Sequence, residues 1–214
     1  MLAAASVVSS CTTAPTTDYS PTVRASAMGR AVSDGWQPNE RIVPSPLATL
    51  PSMQISPSRQ GLTPSGLKYT IYPDGSGGVE QAGGELLNGW SIDCGKDAMN
   101  DRRDCKLTSH NARIFISYDF GSAPRWICVL GHDFPGRTAQ LRVDSNPAVT
   151  TDDEGCVGAG FLPQMLKGTS ITTRIVKWPY DYSNDQSGPL RGLPETIELV
   201  KFIRANVSKL SFAP

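Results

Sequence analysis

No run in the 214 residues approaches the roughly 20 apolar positions that a bilayer-spanning helix requires, so nothing in this sequence reads as a helical membrane span. A surplus of either charge is also missing. Twenty Lys and Arg stand against 20 Asp and Glu, and residues 1–66 hold four Arg against three acidic residues, so neither part hides an asymmetry. A nucleic-acid partner is thereby disfavoured, because phosphate contacts need Lys and Arg in excess on one face. The same balance disfavours a polybasic membrane-surface peptide. Histidine is scarce, with two copies, and aromatic residues make up 7%. There is no G-x-S-x-G elbow, no G-x-x-x-x-G-K-[ST] phosphate loop and no C-x-x-C pair. Serine-hydrolase, nucleotide-binding and zinc-finger chemistry therefore lose their usual local signatures, and no cofactor or metal is expected.

Five cysteines, 17 prolines and 20 glycines are present instead, against a hydrophobic fraction of 39%. The first ten residues are apolar or small and end on Val8-Ser9-Ser10-Cys11. This run resembles a bacterial lipobox, in which an aliphatic and two small side chains precede a cysteine. The resemblance implies cleavage before Cys11 and attachment of lipid to its sulfur. Residues 1–10 then read as a signal-peptide-like segment, although no Lys or Arg precedes the apolar run as in a secretory leader. With Thr12 rather than Asp after the cysteine, the implied destination is the outer membrane.

Residues 11–66 read as a tether. Thr12, Thr13, Thr16, Thr17 and Ser20 open it, eight of the 17 prolines punctuate it, and its aromatics are Tyr19 and Trp36. Such a stretch buries too little apolar area to offset its ordering entropy, so disorder or an extended conformation is expected. The alternative is that residues 41–43 and 47–53 dock on the domain as an edge segment. From Leu67 onward the pattern changes to short segments of alternating or β-branched character at 67–72, 90–94, 113–118, 126–130, 139–144 and 171–178, separated by Gly, Pro, Asn and Asp. They predict a mainly β domain over 67–214, an antiparallel β-sandwich or small barrel. Two helices are expected, a short one at 161–167 stopped by Gly168 and a C-terminal one from Pro194 to about Ser208. Leu193, Ile197, Val200, Ile203 and Val207 form the apolar stripe of the second.

Setting Cys11 aside leaves Cys94, Cys105, Cys128 and Cys156, an even set that in an exported domain most simply makes two disulfides. Three connectivities are open. The ten residues between Cys94 and Cys105 suit a hairpin that brings the pair together, which leaves Cys128 with Cys156.

Gly89-Trp90-Ser91-Ile92-Asp93-Cys94, Cys105 and a strand ending at Tyr118 resemble the opening of the invasion-associated locus B (IalB-like) family. Leu141-Arg142-Val143-Asp144, Gly155-Cys156 and the stretch from Leu162 to Gly168 resemble its second half. The wider spacing of Cys128 from Cys156 and Gly192-Leu193 in place of a glycine–phenylalanine pair depart from the pattern. The resemblance implies an exported α-proteobacterial β-sandwich of the cell envelope, with no catalytic residues to carry over.

Four further features bear on function. His132-Asp133 could serve a periplasmic hydrolase if the fold supplied a nucleophile; the blander expectation is a strand-end histidine bonded near Asp133. His110 lies in a polar turn. Asp152-Asp153-Glu154 lacks the spacing of a calcium loop, Asp74-Gly75-Ser76-Gly77-Gly78 reads as a turn, and the mixed charges of residues 101–104 read as a solvated hairpin tip. Trp178, Tyr180 and Tyr182 crowd one loop, either folding back to plug the sandwich end or presenting a carbohydrate- or protein-binding surface. The expected function is a non-enzymatic, lipid-anchored envelope module with the membrane and envelope proteins as partners; the alternative is the hydrolase.

Overall fold

The computed structural model describes residues 58–80, 89–118 and 123–211, with the backbone of 41–43. Cys11, the signal-like segment and most of the proposed tether lie outside the described residues.

Alternation of apolar and polar side chains builds two antiparallel sheets around one core. The larger takes its strands almost in chain order: β1 (Arg41–Val43), β2 (Ser58–Leu62), β3 (Lys68–Ile71), β4 (Gly77–Glu80), β5 (Trp90–Lys96), β6 (Arg103–Ser109), β7 (Ile114–Tyr118), β8 (Trp126–Val129), and finally β11 (Cys156–Gly158). The smaller contains β9 (Gln140–Val143), β10 (Val149–Thr150), β12 (Ser170–Val176) and β13 (Ser183–Pro189) in the order β10-β9-β12-β13. On β5, Trp90, Ile92 and Cys94 are buried while Ser91 and Asp93 are exposed, the period-two signature of a sheet with one face packed. Leu107, Ile114, Ile116 and Ile127 from the larger sheet share one apolar cluster with Leu141, Val143 and Ile171 from the smaller. The arrangement is sandwich-like.

Two helices complete the domain. Leu162–Lys167 (α1) follows a single 3-10 turn and ends at Gly168. Leu193–Asn206 (α2) lies against β4, β5 and β6 and buries Leu193, Ile197, Val200 and Ile203; Val207, in the 3-10 turn that follows, continues the stripe. Leu199 and Phe202 are buried as well, so the apolar face is wider than the stripe alone. Pro194 sits at the start, where its missing N–H costs no helical bond. Gly192 enters the helix with φ 85°, a left-handed conformation that glycine tolerates best, and its carbonyl accepts from both the amide and hydroxyl of Thr196.

The sheet begins before residue 67. β2 pairs in register with β3, and β1 pairs with β2 at Ile42 opposite Arg59. The domain thus reaches into the stretch assigned to the tether, and residues 41–43 follow the edge-segment alternative. Gly77 and Gly78, expected as turn, are strand residues, and the turn itself occupies residues 72–76, with the Tyr72 amide donating to the Ser76 carbonyl. A side chain at either glycine would meet a neighbouring strand's backbone, at 2.3 Å from the Thr70 carbonyl oxygen or 2.6 Å from that of Trp90.

Both disulfides join residues directly opposite in the ladder. Cys94 faces Cys105 across β5 and β6 with Cα atoms 4.1 Å apart, and Cys128 faces Cys156 across β8 and β11 at 4.0 Å.

Candidate functional site

Seven large apolar side chains stand exposed among the described residues, and three of them, Trp178, Tyr180 and Tyr182, lie on one connection. That connection joins β12 to β13. The Lys177 amide closes it on the Tyr182 carbonyl at 3.3 Å, and the Tyr182 amide bonds the Tyr180 carbonyl at 2.7 Å. Trp178 is 55% exposed, Tyr180 63% and Tyr182 49%. The loop therefore presents its rings to solvent instead of folding them back as a plug.

Trp178 and Asp181 of this loop are contacted from a second loop that the sequence did not flag. Phe134-Pro135-Gly136-Arg137 makes a tight turn, closed by the Arg137 amide on the Phe134 carbonyl at 3.2 Å, with Gly136 at φ 71°. Proline followed by glycine suits a turn whose third residue needs positive φ. Phe134 meets Trp178 edge-on with centroids 5.1 Å apart, and Tyr180 stacks on Tyr182 at 6.1 Å. The Arg137 guanidinium lies 5.6 Å from the Phe134 ring centre and pairs with Asp181 at 2.6 Å. One polar pair at the rim of four aromatic rings is a common composition for a recognition surface.

His132 belongs to the same loop. Its Nε2 lies 2.9 Å from the Arg137 carbonyl oxygen, which can only accept, so Nε2 carries the proton. Its ring packs on Gly155, where an added Cβ would come within 2.9 Å of Cδ2. Nδ1 is enclosed without a hydrogen-bond partner. The ring's hydrogen bond thus goes to the Arg137 carbonyl and not to the neighbourhood of Asp133, and His132 braces the Arg137 turn. His110 lies in the β6–β7 turn and is exposed; its carbonyl accepts from Gln186 at 2.8 Å. Asp152 uses Oδ1 to accept from the amides of Glu154 and Cys156 at 3.1 and 2.7 Å, ordering the turn that delivers Cys156 to its disulfide. Among the described residues no group of three or more His, Cys, Asp or Glu gathers in a metal-binding arrangement.

A separate groove of about 360 Å³ crosses the outer face of the smaller sheet and is lined by Gln140, Arg142, Thr172, Arg174 and Asp185 among others. Its central charges satisfy each other: Arg174 donates to both carboxylate oxygens of Asp185 at 2.6 and 2.7 Å, which holds the Asp185 carboxyl below its ordinary range and raises the guanidinium.

Comparison of the chain with protein-family models, with curated proteins and with solved structures finds no match.

Proposed function

We propose that the chain is a lipid-anchored cell-envelope protein whose β domain acts as a non-enzymatic binding module, and that the loop carrying Trp178, Tyr180 and Tyr182 is its docking surface for another envelope protein. The observation that carries this reading is the exposure of those rings on a loop braced by Phe134 and Arg137. A loop already braced at Trp178 and Asp181 loses less conformational freedom on binding, so more of the apolar contact appears as affinity. Two disulfides in a small β domain suit an oxidising compartment, and the lipobox-like run ending at Cys11 supplies the membrane link. The resemblance to the IalB-like family points to the same envelope setting, with the outer membrane as destination.

Photocrosslinking in the native envelope tests the surface. A photoreactive residue at Tyr180 is expected to give a discrete crosslinked species that one at Met99, 94% exposed on the β5–β6 hairpin, does not. Equal patterns from both positions, or none from Tyr180, contradict the docking surface. The hydrolase alternative is less well supported, because the imidazole is committed to a backbone carbonyl on one nitrogen and enclosed at the other.

A further inference from the structure

The two disulfides occupy opposite faces of the larger sheet. Cys94 and Cys105 are buried in the apolar core, on the face that β5 turns inward. Cys128 alternates with Ile127 and Val129, both members of that core, so its side chain stands on the other face. Its partner Cys156 is partly exposed and opens β11, a three-residue strand at the edge of the sheet. Thiol–disulfide exchange needs a thiolate to reach one of the two sulfurs, so access decides which bond opens first. The bond at Cys156 offers that access, and the buried one at Cys94 does not.

From Cys156 a short series of contacts leads to the aromatic loop. The turn before β11 is tied to β8 by the Val129 amide, which donates to the Gly155 carbonyl at 2.9 Å. The His132 ring packs on Gly155, so closely that a Cβ there would stand 2.9–3.1 Å from three carbons of the His132 side chain. His132 in turn bonds the Arg137 carbonyl. That turn carries Phe134 against Trp178 and Arg137 against Asp181. Since β11 adds only three paired residues to β8, the covalent bond is a large part of what fixes Gly155 beneath the imidazole.

We infer that Cys128–Cys156 is a redox latch, opened by a dithiol protein of the Cys-x-x-Cys oxidoreductase class, and that its opening loosens the aromatic loop. The consequence for partner binding rests on the docking surface proposed above; the coupling of disulfide to loop does not. In the exchange, a thiolate of the reductant attacks Sγ of Cys156, the S–S bond breaks, and Sγ of Cys128 leaves as a thiolate that takes a proton from water. The second thiolate of the reductant then displaces Cys156 from the mixed disulfide. Two electrons have passed to the domain, which now holds two thiols, and the reductant departs as a disulfide.

The test treats the oxidised full chain with reduced thioredoxin, quenches it at intervals by alkylation, and follows each cysteine by peptide mass spectrometry. Hydrogen exchange is read on the same samples. Labelling of Cys128 and Cys156 is expected about tenfold or more ahead of Cys94 and Cys105. At that stage segments 132–137 and 177–182 should exchange about tenfold faster, while β5 and β6 keep their protection. His132→Ala, with both disulfides intact, separates the coupling from general damage. Its two loops should exchange fast when oxidised and change little further on reduction. Labelling of Cys94 and Cys105 first or simultaneously overturns the latch, as does unchanged exchange of both segments once Cys128 and Cys156 are labelled. Crosslinking from Tyr180 that weakens after selective reduction upholds the consequence for binding. Loosened loops with no crosslink in either redox state uphold the latch and contradict the docking surface instead.

Discussion

Gly188 shows how a single missing side chain joins the two sheets. It sits in β13, and a Cβ there would lie 2.5 Å from the Ala112 amide nitrogen in the turn between β6 and β7. The close approach lets Gln186 reach the carbonyls of His110 and Asn111 at 2.8 and 2.7 Å and lets Arg113 donate to Asn184 at 2.7 Å. Backbone cannot yield as a flexible side-chain tip can, so Gly188→Ala is expected to destabilise the domain by about 1–3 kcal/mol, read as a lower denaturant midpoint. Asp144 plays a comparable part at the start of β12. Its carboxylate accepts from the hydroxyls and amides of Thr169 and Ser170 at 2.8–3.2 Å. The Thr169 hydroxyl, foremost, holds the carboxyl below its ordinary 3.8, with the backbone amides adding to it and partial burial opposing. A carboxyl depressed in the folded state stabilises above its unfolded pKa and loses that contribution as pH falls through the folded one. The stability gap between the wild type and Asp144→Asn should therefore be present at neutral pH and close below about pH 4, measured by urea unfolding across that range.

Among the elements, the two disulfides close loops of different length, with sequence separations of 11 and 28. Restriction of the unfolded chain gives about 3 kcal/mol for the first and about 3.6 kcal/mol for the second. Replacing Cys128 and Cys156 together by Ala is thus expected to lower the unfolding free energy somewhat more than replacing Cys94 and Cys105, and equilibrium unfolding under oxidising conditions compares them. The aromatic loop should behave oppositely. Its rings are exposed and the Arg137–Asp181 pair lies at the surface, where such pairs contribute about 0–1 kcal/mol. Tyr180→Ala should leave the unfolding midpoint nearly unchanged while abolishing the crosslink expected from a photoreactive residue at Trp178.

The elements also differ in how readable they were. Residues 139–144 alternate strictly and residues 171–176 are almost all β-branched, so β9 and β12 are evident, and the 3–4 spacing from Leu193 to Val207 marks α2. β13 has no such signal. Its sequence, Ser-Asn-Asp-Gln-Ser-Gly-Pro, carries no large apolar side chain, and it is a strand because β12 and the side-chain bonds to the β6–β7 turn hold it there. β2 and β4 owe their state to neighbours in the same way, through Gly61, Gly77 and Gly78 at close approaches that only three-dimensional packing creates. At the candidate site, Trp178, Tyr180 and Tyr182 were visible as a cluster, whereas their exposure was not. Arg137 and Asp181 are 44 positions apart, and nothing local in the chain announces their pairing.

At the level of the whole molecule, the low apolar fraction and the balanced charge have separate origins. Among the described residues the core is concentrated in the two sheets and α2, whereas the low apolar fraction of the whole chain includes the Pro/Thr/Ser-rich composition of residues 12–57. The zero net charge is not evenly spread, since Lys96 lies directly opposite Arg103 across the β5–β6 ladder where the molecule as a whole is neutral. A neutral domain on a lipid anchor would meet its partner by confinement to one surface rather than by long-range steering. That arrangement depends on Cys11 being chemically distinct from the other four cysteines. Intact-mass spectrometry of the protein recovered from bacterial membranes, alkylated before any reduction, tests this most directly. The expected species is a chain beginning at Cys11 and carrying lipid, with no alkyl group added to Cys94, Cys105, Cys128 or Cys156 until a reductant is supplied. A chain that retains Met1, lacks lipid and is alkylated at Cys94 and Cys105 without reduction would contradict it.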